Sequence, residues 1–161
     1  MGGPAREILT WDTFGAAARS LAEDIAGDGF RPDAILGIAR GGLVLAGALA
    51  YALDVKSVFL INVEFYTGVD ERLAAPVILP PQLRVRDLDA MNVLIADDVA
   101  DTGATLELVR DICRDAVADA RTCVLYEKPA SRVRCDYVWR PTDLWIEFPW
   151  SAEDPVVARR S

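Results

Sequence analysis

The chain has 161 residues, of which 52% are hydrophobic and 26% charged, and its net charge at neutral pH is −8. That length fits one domain with a sizeable core, since a chain of this size buries about two-thirds of its unfolded surface. The acidic balance argues against a general nucleic-acid or anionic-membrane surface, and the lack of any histidine removes imidazole triads, imidazole zinc ligation and imidazole acid–base chemistry. Proton transfer is left to carboxylates, lysine and tyrosine. Cys113, Cys123 and Cys135 are odd in number, have no metal-ligand spacing and read as small, partly buried thiols of a reducing compartment. No signal peptide is legible, and the longest apolar helical stretch, 43–53, is too short to span a bilayer, so a cytoplasmic protein is expected.

In chain order, residues 11–26 are expected to form a helix capped by Thr10 or Asp12. Phe14, Ala17, Leu21 and Ile25 are spaced to make one buried face. After a Gly27-Asp28-Gly29 turn, 34–38 reads as a short buried strand, Gly41 and Gly42 as punctuation, and 43–53 as a helix apolar on most sides. Residues 57–65 read as the next strand. The interval 66–90 contains Gly68, Asp70, Glu71, Arg72, Pro76, Pro80 and Pro81 and is the least regular. It reads as a long loop, functional or disordered, or in part as a β-hairpin. A strand at 92–97, a helix at 105–115 and a strand at 122–127 complete the pattern. Strands alternating with helices imply an α/β fold with a mainly parallel central sheet covered on both faces, in a single domain over 1–161.

The stretch 92–109 carries the most chemistry. Its pattern is Asp97-Asp98-x-x-Asp101-Thr102-Gly103-Ala104-Thr105, set between an apolar strand and an amphipathic helix. Small residues at such a turn let backbone amides approach a phosphate, and the helix start adds unpaired N–H groups and partial positive charge. Asp97 and Asp98 at the strand end can accept hydrogen bonds from ribose hydroxyls. An acidic turn that merely caps a helix would need only one or two of these groups.

Three further stretches bear on this. Ile38-Ala39-Arg40-Gly41-Gly42 follows the first core strand, so its amides and the Arg40 guanidinium could converge on a diphosphate; the glycine spacing does not fit a dinucleotide fingerprint. Lys128, one of two lysines in the chain, lies just past a strand end, where an ammonium can donate to a single carbonyl oxygen or simply be solvated. Residues 136–150 concentrate aromatic side chains in a chain that is only 8% aromatic. Trp145 could stack on a flat base, and Trp145 and Trp150 could equally form a small satellite core.

These motifs resemble those of the type I phosphoribosyltransferases, and of the 6-oxopurine (xanthine-guanine) members in particular. The resemblance runs from Thr10-Trp11-Asp12 through the Arg-Gly-Gly turn and the aspartate motif to Pro149-Trp150. It implies the type I phosphoribosyltransferase fold with a small C-terminal hood at about 136–151 and a flexible loop at about 66–90. It also implies transfer of ribose 5-phosphate from phosphoribosyl diphosphate to guanine, hypoxanthine or xanthine, giving a nucleoside monophosphate in purine salvage. Asp101 is then the catalytic acid/base. Arg40, Gly41, Asp97, Asp98, Asp101, Thr102, Gly103, Ala104 and Thr105 bind phosphoribosyl diphosphate, Asp97 and Asp98 face Mg2+, and Lys128, Trp145 and Ile146 bind the base. A homo-oligomer, dimer or tetramer, is implied as well.

Two departures stand out. Ala104 replaces the Gly or Lys usual in the phosphate turn, and Ser151 replaces an aspartate that helps shape the base site, which bears on xanthine preference. The loop 66–90 aligns poorly, leaving Arg72 as a candidate phosphate contact. The same cradle would also serve a non-catalytic regulator that binds phosphoribosyl diphosphate or a nucleotide, or a transferase for another base.

Overall fold

The computed structural model describes residues 3–67 and 74–158. Strand β1 (Arg6–Ile8) leads into helix α1 (Trp11–Gly27), whose first turn is capped by Thr10, its hydroxyl accepting from the Thr13 amide at 3.1 Å. Phe14, Ala17, Leu21 and Ile25 form the buried face, joined by Ala18 and Ala22. Strand β2 (Ala34–Ala39), helix α2 (Gly41–Ala52) and strand β3 (Ser57–Thr67) follow. Next come β4 (Ala74–Leu79), a short 3-10 helix (Val85–Leu88), β5 (Asn92–Ala100), α3 (Ala104–Cys113), β6 (Asp119–Glu127), β7 (Tyr137–Pro141) and β8 (Trp145–Glu147).

Six strands make the main sheet in the order β4-β3-β2-β5-β6-β7, parallel throughout except for β4, which runs antiparallel to β3. Alternation along the central strands sends side chains to two cores. Ile35 and Leu94 face α1 and α2, while Leu36, Val93 and Ile95 face α3 and the 3-10 helix. The expected mainly parallel α/β sheet, covered on both faces, is therefore found.

Within the interval 66–90 the structure takes the β-hairpin alternative in part rather than a continuous loop. Residues 74–79 form β4, the antiparallel partner of β3, and Leu88 of the 3-10 helix is fully buried. Pro76 disguised this strand, but β4 lies at the sheet edge, where a missing N–H costs no ladder bond. Arg72 lies outside the described residues. The strand expected to end at Asp97 continues to Ala100, because its backbone pairs with β6 through Asp97↔Val124, Val99↔Tyr126 and Ala100↔Glu127 although the carboxylates break the apolar pattern. β6 begins three residues earlier than expected, with polar Asp119 pairing with Asn92.

The connections from β2 and β5 diverge. Chain leaving β2 crosses through α2 to β3 on one side, and chain leaving β5 crosses through α3 to β6 on the other. Crevices form at such reversals, beyond the carboxyl ends of the strands. Here the β2–β5 ladder stops at Gly37↔Ala96, while β2–β3 pairing runs on to Ala39↔Asn62 and β5–β6 pairing to Ala100↔Glu127. The two central strands part where Asp97 begins.

Candidate active site

Three adjoining cavities open at that divergence. The first, about 540 Å3, is lined by Arg40, Gly41, Asp97, Asp98 and Thr105, with Phe148, Trp150 and Ser151 across from them. A second, about 70 Å3, is enclosed by Asp97 and the run from Val99 to Leu106, including Asp101, Thr102, Gly103 and Ala104. The third, about 260 Å3, is lined by Val99, Asp101, Lys128, Trp145, Ile146, Phe148 and Ser151. Each adjoins the others through shared residues: Asp97 and Thr105 join the first two, Val99 and Asp101 the last two, and Phe148 and Ser151 the first and third. The twelve residues to which the resemblance gives a binding or catalytic role thus line adjoining cavities of one cleft.

The first cavity depends on glycine. A Cβ on Gly41 would lie 1.9 Å from Asp98 Oδ2, and one on Gly42 would lie 2.5 Å from the Ala96 carbonyl oxygen. The turn after β2 can therefore lie against the end of β5 only without side chains at these positions. The Ala39–Arg40 peptide is cis. Arg40 is exposed and forms no ion pair with any described residue, and no side chain caps the amino end of α2. An unpaired guanidinium beside an uncapped helix start suits a multiply charged anion.

Asp97 is 8% exposed and Asp98 half-buried. Asp97 Oδ1 accepts from the Asp98 amide and Asp98 Oδ1 from the Val99 amide, both at 2.8 Å. Burial raises the Asp97 carboxyl well above its ordinary 3.8, and the neighbouring Asp98 charge raises it further. Asp98 is raised as well, again chiefly by burial. Two desolvated carboxylates held this close are destabilised as a dianion, and a cation or hydroxyl donors between them would relieve that.

In the phosphate turn, Gly103 has φ +81° and caps α3 without a side-chain bond. A Cβ there would lie 2.6 Å from Ser131 Oγ, so the left-handed conformation and the close approach both require glycine. The turn is buttressed from behind, the Arg132 amide donating to the Thr102 carbonyl at 2.9 Å. Ala104 stands at the helix start, where only its backbone need meet a ligand.

In the third cavity the Lys128 amide donates to the Ala100 carbonyl at 2.9 Å, and its ammonium donates to the Leu144 carbonyl. Trp145 is 73% exposed at the rim, whereas Ile146 is buried. Trp150, read from sequence as satellite core or platform, is both packed and at the site. It stacks on Phe148 with ring centroids 4.9 Å apart, meets Phe14 and Trp11 edge-on, and lines the first cavity. Val44, Val63, Val99 and Phe148 also line the cleft without having been singled out; Phe148 was signalled only by the aromatic density around it.

Most of the chain is similar to known proteins. Residues 4–155 match the phosphoribosyl transferase domain family. The xanthine-guanine phosphoribosyltransferase of Cereibacter sphaeroides is 37% identical over 149 residues, covering 88% of this chain and 84% of the relative. That of Nitratidesulfovibrio vulgaris is 33% identical over 147 residues, covering 90% and 84%. The crystal structure of a purine phosphoribosyltransferase from Pyrococcus horikoshii superposes with a TM-score of 0.83 at 39% identity, covering 96% of this chain and 99% of that one.

Proposed function

Since this chain belongs to the phosphoribosyl transferase family, we propose that it transfers ribose 5-phosphate from phosphoribosyl diphosphate to N9 of a 6-oxopurine in purine salvage, releasing diphosphate and a nucleoside monophosphate. The observation that carries this reading is the junction of three cavities of unlike chemistry around Asp97, Asp101 and Thr105. A cationic turn, an uncapped helix start and an apolar slot with one ammonium match the diphosphate, the 5-phosphate and the base. The ribose carbon between them must be reachable from all three.

In the proposed reaction the base enters with its proton on N7. N9 forms the new bond to ribose C1 as the C1–O bond to diphosphate breaks, and the N7 proton passes to Asp101. The sugar passes through an oxocarbenium-like state, so acceleration requires that the departing diphosphate and the cationic ribose be held more tightly than the substrates. Arg40 and the Gly41 amide hold the diphosphate. The amides and hydroxyls of Thr102, Gly103, Ala104 and Thr105 hold the 5-phosphate, Lys128 donates to O6, and Trp145 and Ile146 flank the ring.

Magnesium is the cofactor this reaction implies, and the residues present fit it. Asp97 and Asp98 offer carboxylate oxygens side by side at the cleft, and Mg2+ is commonly held by one or two carboxylates together with substrate phosphates and water. Bound there, the ion would offset charge on the leaving diphosphate. Asp97 and Asp98 themselves orient the ribose hydroxyls.

The free thiols suit a cytoplasmic setting, and no helix among the described residues is long and apolar enough to cross a membrane. A homo-oligomer, dimer or tetramer, is part of the reading; Tyr51, 93% exposed, and Val58 line a separate apolar hollow that a second copy could cover. Light scattering reads the assembly directly.

The test is nucleotide formation from phosphoribosyl diphosphate with Mg2+ and guanine, hypoxanthine, xanthine, adenine or uracil. An oxopurine should turn over, and Asp101→Asn should lower the rate by about 10²–10⁴-fold, the usual weight of a general acid/base, with an unchanged circular dichroism spectrum. Binding of phosphoribosyl diphosphate without turnover of any base would move the assignment to a regulator.

A further inference from the structure

The base platform is built from both ends of the chain. β8, which carries Trp145 and Ile146, does not join the main sheet; its ladder partner is β1, in the register Arg6↔Trp145, Glu7↔Ile146 and Ile8↔Glu147. The Leu9 amide extends that pairing by donating to the Glu147 carbonyl at 3.0 Å. A three-residue strand held by one three-residue partner has little stability of its own. Its height above the cavity is set by the packing of Ile146 and Phe148 into the core and by whatever fixes β1 to the rest of the molecule.

Leu9, just after β1, is buried in the core, and the polar clamp on the strand itself is Glu7, the neighbour of Ile146 in the ladder. Arg140 Nη1 on β7 donates to Glu7 Oε1 at 2.6 Å, and the Tyr126 hydroxyl on β6 donates to the same oxygen at 3.4 Å. The Glu7 side chain is only 18% exposed, and Tyr126 is fully buried. Both partners have contacts of their own, although the Arg140 side chain is half exposed. The Arg140 guanidinium lies over the Trp139 ring at 4.3 Å, and Tyr126 meets Trp139 and Phe148 edge-on at 5.5 and 6.0 Å. Phe148 is a wall of the base cavity, and Tyr126 precedes Lys128 by two residues. By contrast, the Arg6–Glu147 ion pair on the same small sheet is 3.3 Å long with both side chains substantially exposed, a geometry that contributes little.

We infer that Glu7 is a positioning residue for the base: clamped by Arg140 and Tyr126, it locks the N-terminal strand to the main sheet and thereby sets Trp145 and Ile146 against Lys128. Glu7 touches no substrate and acts through β8. The role in base binding rests on the phosphoribosyl transfer reading above; the anchoring of β8 does not.

The experiment compares wild type, Glu7→Ala, Glu7→Gln and Arg6→Ala by hydrogen exchange and by steady-state kinetics. Glu7→Ala should speed amide exchange at Ile146 and Glu147 about tenfold while leaving residues 93–96 unchanged, and should raise KM for the base about tenfold, the size of a coupling within one hydrogen-bonded network. KM for phosphoribosyl diphosphate, and kcat at saturating base, should stay within twofold. Glu7→Gln keeps an acceptor oxygen and should recover most of the base affinity, and Arg6→Ala should stay within twofold throughout. Unchanged exchange at 146 and 147 overturns the anchor whatever the kinetics do. Equal rises in both KM values, or a fall in kcat, reduce Glu7 to a general stabiliser and overturn the positioning role. Wild type inactive on every base would defeat the transfer reading instead, and the exchange measurement would still decide the anchor.

Discussion

Asp97 and Asp98 hold a charge arrangement that costs the folded chain stability. The unfolded chain releases their protons near 3.8, whereas the folded chain retains them to higher pH, so their ionisation disfavours folding increasingly as pH rises from 3.8 through the raised folded values. Below 3.8 that penalty is absent. Asp97→Asn keeps an oxygen to accept from the Asp98 amide and loses the charge. Without Mg2+ and phosphoribosyl diphosphate it should melt about 2–4 °C above wild type at pH 7, which for a chain of this length is about 1 kcal/mol, with the difference vanishing as pH approaches 3.8 and with turnover lost. Calorimetry across pH reads this, and a variant no more stable than wild type at pH 7 would show that the pair is already relieved. Lys128 poses a different question, because its ammonium is engaged with the Leu144 carbonyl before any base arrives. Three N–H donors allow it to keep that bond while donating to O6. Lys128→Ala should therefore raise KM for the base about tenfold or more, the loss of one charge-assisted hydrogen bond, with KM for phosphoribosyl diphosphate within twofold; parallel losses in both would put Lys128 outside the base site.

At the scale of elements, the site hangs on turns that follow strands. The β5–α3 turn was legible because its candidate ligand-binding residues are contiguous, from Asp97 to Thr105, and because an apolar strand and an amphipathic helix bracket them. The same holds for α1, whose buried face repeats at helical spacing. What was not legible depends on meetings between distant segments. β1 and β8 are three residues each, shorter than any period can declare, and they exist because they pair with one another across the whole chain. β4 was hidden by Pro76, which is harmless only at an edge that the sequence does not mark. Trp150 is a cleft wall that meets Phe14 and Trp11 of α1 edge-on and stacks on Phe148; Ser151 was legible only through the aspartate it replaces, and no motif announces Phe148. Gly103 tests the turn itself. Gly103→Ala imposes an L side chain at φ +81° and drives a Cβ toward Ser131 Oγ; it should cost about 1–3 kcal/mol and weaken phosphoribosyl diphosphate more than base. Titration calorimetry with each ligand separates the two, and equal weakening would mean the turn serves only the fold.

For the whole molecule, the decisive feature is that β2 and β5 stop pairing at Gly37↔Ala96 while their outer ladders continue. Arg40 and Gly41 belong to one side of that divergence, and Asp98 to Thr105 to the other. In the proposed reading phosphoribosyl diphosphate spans it, with diphosphate on the β2 side and 5-phosphate on the β5 side, so the ligand would complete a connection that the sheet leaves open. A ligand that binds only the folded state at one hundred times its Kd adds about 2.7 kcal/mol of stability, which for a chain of this length corresponds to a rise of about 5–11 °C in Tm. Magnesium with phosphoribosyl diphosphate should produce that rise. Inorganic phosphate at the same concentration occupies one side and should produce much less, and Gly41→Ala, which pushes Asp98 from the junction, should abolish most of it. Equal stabilisation by phosphate and by phosphoribosyl diphosphate would show that one turn carries the binding alone, and the divergence of the central strands would then have no part in recognising the substrate.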